Sequence, residues 1–167
     1  MPFSQFGGIV AYSDASYKPK LHEDYARATY GYCIYYLGIL IDWCSKRTTT
    51  VMKSTAEAEF TALSNCASAA MFYKHIISSL HLFFHKSISL LEDNSAAIKW
   101  TETDMLPKMS KHVDIHYLWM REHVRMNIFT VQWTPTNMMT ADIHTKALSA
   151  QVFTPLCQLL FHPITQQ

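Results

Sequence analysis

Four acidic side chains stand in four separate local settings along this chain: Asp14 ending a β-like run, Glu59 on a helical stretch, Asp93 ending a second β-like run, and Asp142 opening a late helix. Carboxylates so far apart in sequence share work only if folding gathers them. Gathered, they form an all-oxygen donor set of the kind Mg²⁺ takes, an ion that keeps several waters and is held by one or two carboxylates plus substrate phosphate. Four carboxylates suit two such ions, and paired ions clamp the attacking and leaving oxygens of a phosphodiester displacement.

Each acid also has an ordinary explanation. Asp14 and Asp93 follow apolar runs and precede polar ones, which places them at the carboxyl ends of strands, where α/β proteins build sites and where Asp also commonly caps the next segment. Asp142 in a first helical turn is favoured by the helix dipole whatever its function. The glutamates can be separated by phase. Glu57 and Glu59 are two apart and point in nearly opposite directions on a helix. Glu59 is in phase with Ala62, Leu63 and Cys66, at the start of the apolar stripe, where an unpaired carboxylate is costly and a metal ion would remove the cost. Glu57 is in phase with Phe60, Thr61 and Ser64, a more polar face, and completes the capping box Ser54-Thr55-Ala56-Glu57.

The elements that must position these residues are legible from periodicity and turn chemistry. Gly8 to Asp14 reads as a strand, and Tyr30–Leu37 and Leu40–Ser45, separated by Gly38-Ile39, as a hairpin; together they predict an antiparallel meander. After Ser54 a helix of about 25 residues is expected, with Ala62, Leu63, Cys66, Ala70, Tyr73 and Ile77 on one stripe. Ser87–Leu91 is a fourth strand, Asn94-Ser95 caps a short helix to Trp100, Lys111–Asn127 is a helix, and Ile128–Trp133 a fifth strand. A last helical segment begins near Asn137 and should break or bend before Pro155. The order β-β-β-α-β-α-α-β-α predicts an α/β fold with a five-stranded mixed sheet, three antiparallel strands first and then two more, and helices on both faces. Residues 1–7 read as an extension, 8–150 as the domain and 151–167 as a partly helical tail.

With 167 residues, 49% of them hydrophobic, the chain suits one domain with a substantial core. Lys and Arg number 14 against 13 Asp and Glu, so any nucleic-acid surface must be a local patch rather than a global field. Cys33, Cys44, Cys66 and Cys157 lack C-x-x-C spacing and read as reduced core residues without disulfides, in an intracellular setting. The apolar stretches are too short and interrupted to span a bilayer, and the start lacks the pattern of a secretory signal. His112 and His116 are i, i+4, yet no third ligand stands at a spacing that would make a zinc site. Trp43, Trp100, Trp119 and Trp133 lie in periodic segments, which favours core packing over base stacking.

Seven stretches in order carry a resemblance: Ala11–Ala15, Arg27–Tyr32, Asp42–Arg47, Ser54–Phe60, Glu92–Ile98, Lys111–Tyr117 and Ala141–Lys146. Each is weak singly; together they make the chain resemble the ribonuclease H domain of a copia-type (Pseudoviridae) LTR retrotransposon Gag-Pol polyprotein. The resemblance implies a ribonuclease H-like fold and endonucleolytic cleavage of the RNA strand of an RNA–DNA hybrid, leaving a 5′-phosphate and a 3′-hydroxyl. It implies Asp14, Glu59, Asp93 and Asp142 as both catalytic and metal-binding, with two Mg²⁺ for which Mn²⁺ can substitute. Asp14 is then the candidate to bridge both ions, with Glu59 and Asp93 to one side and Asp142 to the other. Asn94, Ser95, Lys46, Arg47, Lys111 and His112 are candidate substrate contacts, and Lys108, Arg121 and Arg125 further backbone-facing charges. The implied partners are the hybrid and a reverse transcriptase polymerase domain of the parent polyprotein, acting in a cytoplasmic retrotransposon particle and in the nucleus.

The chain departs from the pattern in two places. Ser16-Tyr17-Lys18-Pro19 stands where the family continues from its first Asp with an aromatic-Ala-Gly stretch. The connection Thr134–Ala141 lacks the histidine that many cellular members of the superfamily carry ahead of the last Asp, which leaves His112 and His116 as candidates for proton transfer. A catalytically inactive or domesticated domain serving as a structural or interaction module is the alternative, while an integrase-like strand transferase is disfavoured because such sites use fewer acids in a different order.

Overall fold

The computed structural model describes residues 8–17, 27–83, 87–103 and 111–161, with the backbone alone for 111–114. Strands β1 (Ile9–Ser16), β2 (Thr29–Tyr36) and β3 (Ile39–Arg47) form the meander, followed by helix α1 (Thr55–Ser79), strand β4 (Ile88–Glu92), helices α2 (Ser95–Glu102) and α3 (Lys111–Arg125), strand β5 (Phe129–Trp133) and helix α4 (Ala150–Phe161). The sheet order is β3-β2-β1-β4-β5. β1 is its pivot: antiparallel to β2, with Asp14 opposite Gly31, and parallel to β4, with Tyr12 opposite Leu91. β4 runs parallel to β5. The carboxyl ends of β1 and β4 therefore emerge side by side.

β1 is covered on both faces, as its near-continuous apolar run requires. Ile9 and Ala11 join a core with Phe60, Leu63, Cys66 and Ala70 of α1, Ala97 of α2, and Tyr117 and Met120 of α3. Val10 and Tyr12 point the other way, to Cys33, Tyr35, Met139, Ala141 and Leu160 of α4. The small residues on α1 let it lie close against β1.

α1 starts as expected, with Ser54 Oγ accepting from the Glu57 amide at 3.1 Å, while the Glu57 carboxylate accepts from the Lys53 amide at 2.7 Å. It ends with His81 in the left-handed region (φ 55°) and the Leu82 amide donating back to the Ile77 carbonyl, a Schellman-type stop made on His rather than Gly.

Four expectations are corrected. The hairpin turns on Leu37-Gly38, not Gly38-Ile39, because a two-residue turn that matches strand twist needs positive φ at both positions, and these two supply 50° and 82°. No α-helix begins near Asn137: two 3₁₀ turns, Thr136–Met138 and Thr140–His144, stand there, and α4 starts at Ala150. Pro155 lies inside α4 rather than ending it; the ring forgoes one backbone bond, and Leu156 and Leu160 behind it are buried. Trp43 and Trp133 are 62% and 58% exposed, because β3 and β5 are edge strands; Trp100 and Trp119 do pack on the core. Residues 1–7 and 162–167 lie outside the described part of the chain.

Candidate metal centre

Asp14 and Asp93 reach a common point because β1 and β4 are parallel neighbours. Glu59 reaches it from the first turns of α1, where the Ala15 amide donates to its Oε2 at 2.7 Å. Ligand oxygens of Asp14, Glu59 and Asp93 all lie within 4.8 Å of one another; among the described residues, this is the group of His, Cys, Asp and Glu side chains that is close enough to share an ion. Thr136 Oγ1 donates to Asp93 Oδ2 at 2.9 Å, and the Trp133 indole donates to the Asp93 carbonyl at 3.1 Å. The end of β5 thus fixes Asp93.

Asp142 comes in from the second 3₁₀ turn, on the opposite side of the sheet from α1. Lys146, a residue to which the sequence analysis gave no role, joins it to the cluster: its Nζ lies 2.8 Å from Asp142 Oδ1 and 3.0 Å from Asp14 Oδ1. The Thr145 hydroxyl donates to the other oxygen of Asp14. Glu57 is as buried as Glu59, 3% against 5% exposed, although its phase suggested a polar face. The segment before α1 folds over it, yet its bond to Lys53 N keeps it on the capping task, away from the cluster.

Burial strains the charges here. Loss of solvent pushes the Glu59 carboxyl up to about 8, with repulsion from Asp14 adding to the effect and the Ala15 amide opposing it. Asp142 is pushed up to about 6, chiefly by burial, against the pull of Lys146. Behind them Glu92 is wholly buried, accepting from Ser13 Oγ at 2.8 Å and the Asn94 amide at 3.2 Å, and its carboxyl is raised well above the ordinary range by burial and by Glu59. Period-2 alternation could have found it, since Ile88, Leu90 and Glu92 share one face. An oxygen-only donor set that burial makes costly to ionise, and that a cation would relieve, fits hard divalent ions such as Mg²⁺.

The other candidates scatter. Asn94 uses its side-chain oxygen to cap α2, accepting from the Ala96 and Ala97 amides, and Ser95 is the exposed first residue of that helix. Lys46 and Arg47 are exposed at the end of β3. Arg47 lines a polar cleft of about 370 Å³ with Thr48, Thr50, Thr61, Asn65 and His116. His116 hydrogen-bonds Ser64 at 2.9 Å. Lys111 and His112 open α3 with their side chains outside the described part, and Lys108 lies wholly outside it. His144 sits against β2, its carbonyl accepting from Ser45 Oγ at 2.6 Å and its imidazole pKa lowered by burial.

Gly31 explains why the 144–146 segment can lie so close. A Cβ there would come 2.7 Å from His144 Cβ, 3.0 Å from the Cys44 carbonyl and 3.0 Å from Thr145 Cγ2. Gly31→Ala is therefore expected to lift the turn that carries Asp142 and Lys146, and to cost about 1–3 kcal/mol in urea-monitored unfolding. A loss below about 0.5 kcal/mol would show that the close approach is not needed.

No family model matches the chain. It is 30% identical over 159 residues to the Pol polyprotein of transposon TNT 1-94 from Nicotiana tabacum, an alignment covering 93% of the chain and 12% of the polyprotein. To the Pol polyprotein of transposon RE1 from Arabidopsis thaliana it is 29% identical over 145 residues, 87% of the chain and 10% of the polyprotein. The chain thus spans about a tenth of the length of the curated relatives it matches. Among solved structures it resembles the N-terminal RNase H domain of a Mycobacterium tuberculosis protein solved as a maltose binding protein fusion, with TM-score 0.59 and 13% identity over 82% of this chain and 95% of that one. It also resembles LC11-RNase H1, isolated from compost and solved in complex with an RNA/DNA hybrid, with TM-score 0.60 and 11% identity over 82% and 93% of the two chains. Identities this low speak to fold alone.

Proposed function

We propose that this chain, similar over most of its length to retrotransposon Pol polyproteins and folded like RNase H domains, is the ribonuclease H part of such a copia-type polyprotein and hydrolyses the RNA strand of RNA–DNA hybrids endonucleolytically, with divalent cations held by Asp14, Glu59, Asp93 and Asp142. The observation that carries this reading is the convergence of Asp14, Glu59 and Asp93 at the paired carboxyl ends of β1 and β4. Two Mg²⁺, or Mn²⁺ in their place, would supply water activation and stabilisation of the departing 3′-oxygen.

The chain's own residues do the rest. The Ala15 amide and Thr136 hydroxyl hold Glu59 and Asp93 in place, and the site needs no large movement to present them. The polar cleft beside α1, with the Arg47 guanidinium and threonine hydroxyls on its wall, suits a backbone phosphate of the hybrid. Trp133, exposed and tied to the Asp93 carbonyl, offers a flat surface at the rim. Selection of RNA would rest on the 2′-hydroxyl and the minor-groove shape of the hybrid. With so balanced a net charge, a neighbouring polymerase domain of the polyprotein would supply much of the grip, within a cytoplasmic particle.

The test is a labelled RNA–DNA hybrid incubated with the chain and Mg²⁺ or Mn²⁺. Internal RNA cuts with 5′-phosphate ends, abolished by chelator and absent on duplex DNA, are expected. Arg47→Ala should raise KM roughly threefold to tenfold with little change in kcat. Binding of the hybrid without cutting would instead mark a structural module, and DNA cutting another nuclease class.

A further inference from the structure

Lys146 sits within the carboxylate group rather than beside it. The Lys146 amide donates to the Asp142 carbonyl at 3.1 Å, closing the turn that carries both residues, so the ammonium returns over Asp142 Oδ1 and on to Asp14 Oδ1. Thr145 engages the remaining oxygen of Asp14. The site is thereby divided. One half, made of Asp14, Glu59 and Asp93, is a cluster of negative oxygens. The other half, between Asp14 and Asp142, already holds a positive charge of the chain's own.

We propose that Lys146 is a tethered cation occupying the second divalent-ion position of the metal-free protein, so that the site loads in sequence: a first ion with Glu59 and Asp93, then a second that must displace Lys146 from Asp14 and Asp142. This rests on the reading of the site as one that holds divalent cations. Lys146 is about one-third exposed along a flexible four-carbon stem, so its head can swing into solvent without movement of the backbone that carries Asp142. A second cation at the same pair of oxygens is opposed while the ammonium remains. Lys146 in this role is a positioning residue: it preshapes two carboxylates and sets the order of loading.

Calorimetric titration of the 167-residue chain with Mn²⁺ alone tests this. Wild type should bind one ion and then a second at least about tenfold more weakly, whereas Lys146→Met should tighten the second step about tenfold and Lys146→Arg should keep it weak. A merely structural lysine would not separate the two steps. A second measurement needs no variant: the Lys146 side-chain ¹⁵N signal should persist through the first equivalent of Mg²⁺ and disappear with the next. Equal affinities in wild type, an unchanged isotherm in folded Lys146→Met, or loss of the Lys146 signal at the first equivalent overturns the proposal while leaving the cation site intact. Absence of Mn²⁺ binding in every form overturns both this proposal and the functional reading beneath it.

Discussion

Asp14→Asn and Asp93→Asn should each lower kcat for hybrid cleavage by on the order of 10³-fold or more, with circular dichroism and the urea midpoint close to wild type. The amide keeps the size of the carboxylate and one of its acceptor oxygens. At Asp93 it can still accept from Thr136, so the end of β4 stays attached to the segment after β5. What it removes is a negative oxygen facing the common point shared with Glu59. Divalent affinity should fall in parallel, which separates a lost ligand from a lost fold. Glu57→Gln is the matched control: equally buried and two residues from Glu59, it should cost about 1 kcal/mol of stability through the weakened cap and leave kcat within about twofold. Activity of Asp93→Asn within tenfold of wild type would remove the cluster from the chemistry.

Glu59 was legible because a helix converts spacing into direction. Two residues rotate a side chain by more than half a turn, so only one of Glu57 and Glu59 can lie over the strand ends. The same argument misjudged the exposure of Glu57, since helix phase says nothing of a loop such as Met52-Lys53 folding over the opposite face. Asp93 was legible as a strand end, whereas Asp14 stands two residues inside the end of β1, which runs on to Ser16 paired with Thr29; the mixed sheet followed from the order of strands and helices. Lys146 was not, because its contact with Asp14 spans 132 residues and lies in no local pattern. Asp142 was assigned to an α-helix expected to begin near Asn137; in the structure, amides bond three residues back, and Met139, with ψ near 85°, separates two tight turns. Trp43 and Trp133 failed for a topological reason, since a periodic strand buries its aromatic only if a layer covers that face, and edge position is not written in a strand's own residues.

Glu59→Gln should stabilise the metal-free protein at pH 8 while abolishing cleavage, the second large effect expected at this site. The sign follows from proton counting. The Glu59 carboxyl is raised from its ordinary 4.5 to about 8 in the fold, so between those values the folded chain holds a proton that the unfolded chain has released. Stability contributed by this group is therefore full below pH 4.5 and is lost as pH rises toward 8. Asp142, raised to about 6, and Glu92, raised by burial, act in the same direction. Lys146 is raised as well, but a lysine titrates above this window and leaves its slope unchanged. Removing the titration at residue 59 should recover on the order of a few kcal/mol at pH 8, seen as a rise in Tm of several degrees, and little at pH 4.5. Added Mn²⁺ should raise the Tm of wild type at pH 8 more than that of Glu59→Gln, because the ion and the amide relieve the same buried charge. Thermal unfolding in chelator at pH 5 and pH 8 provides the comparison. Parallel wild-type and Glu59→Gln curves at both values would mean that water, not the protein interior, surrounds this carboxylate, and that the need for a cation does not arise from its burial.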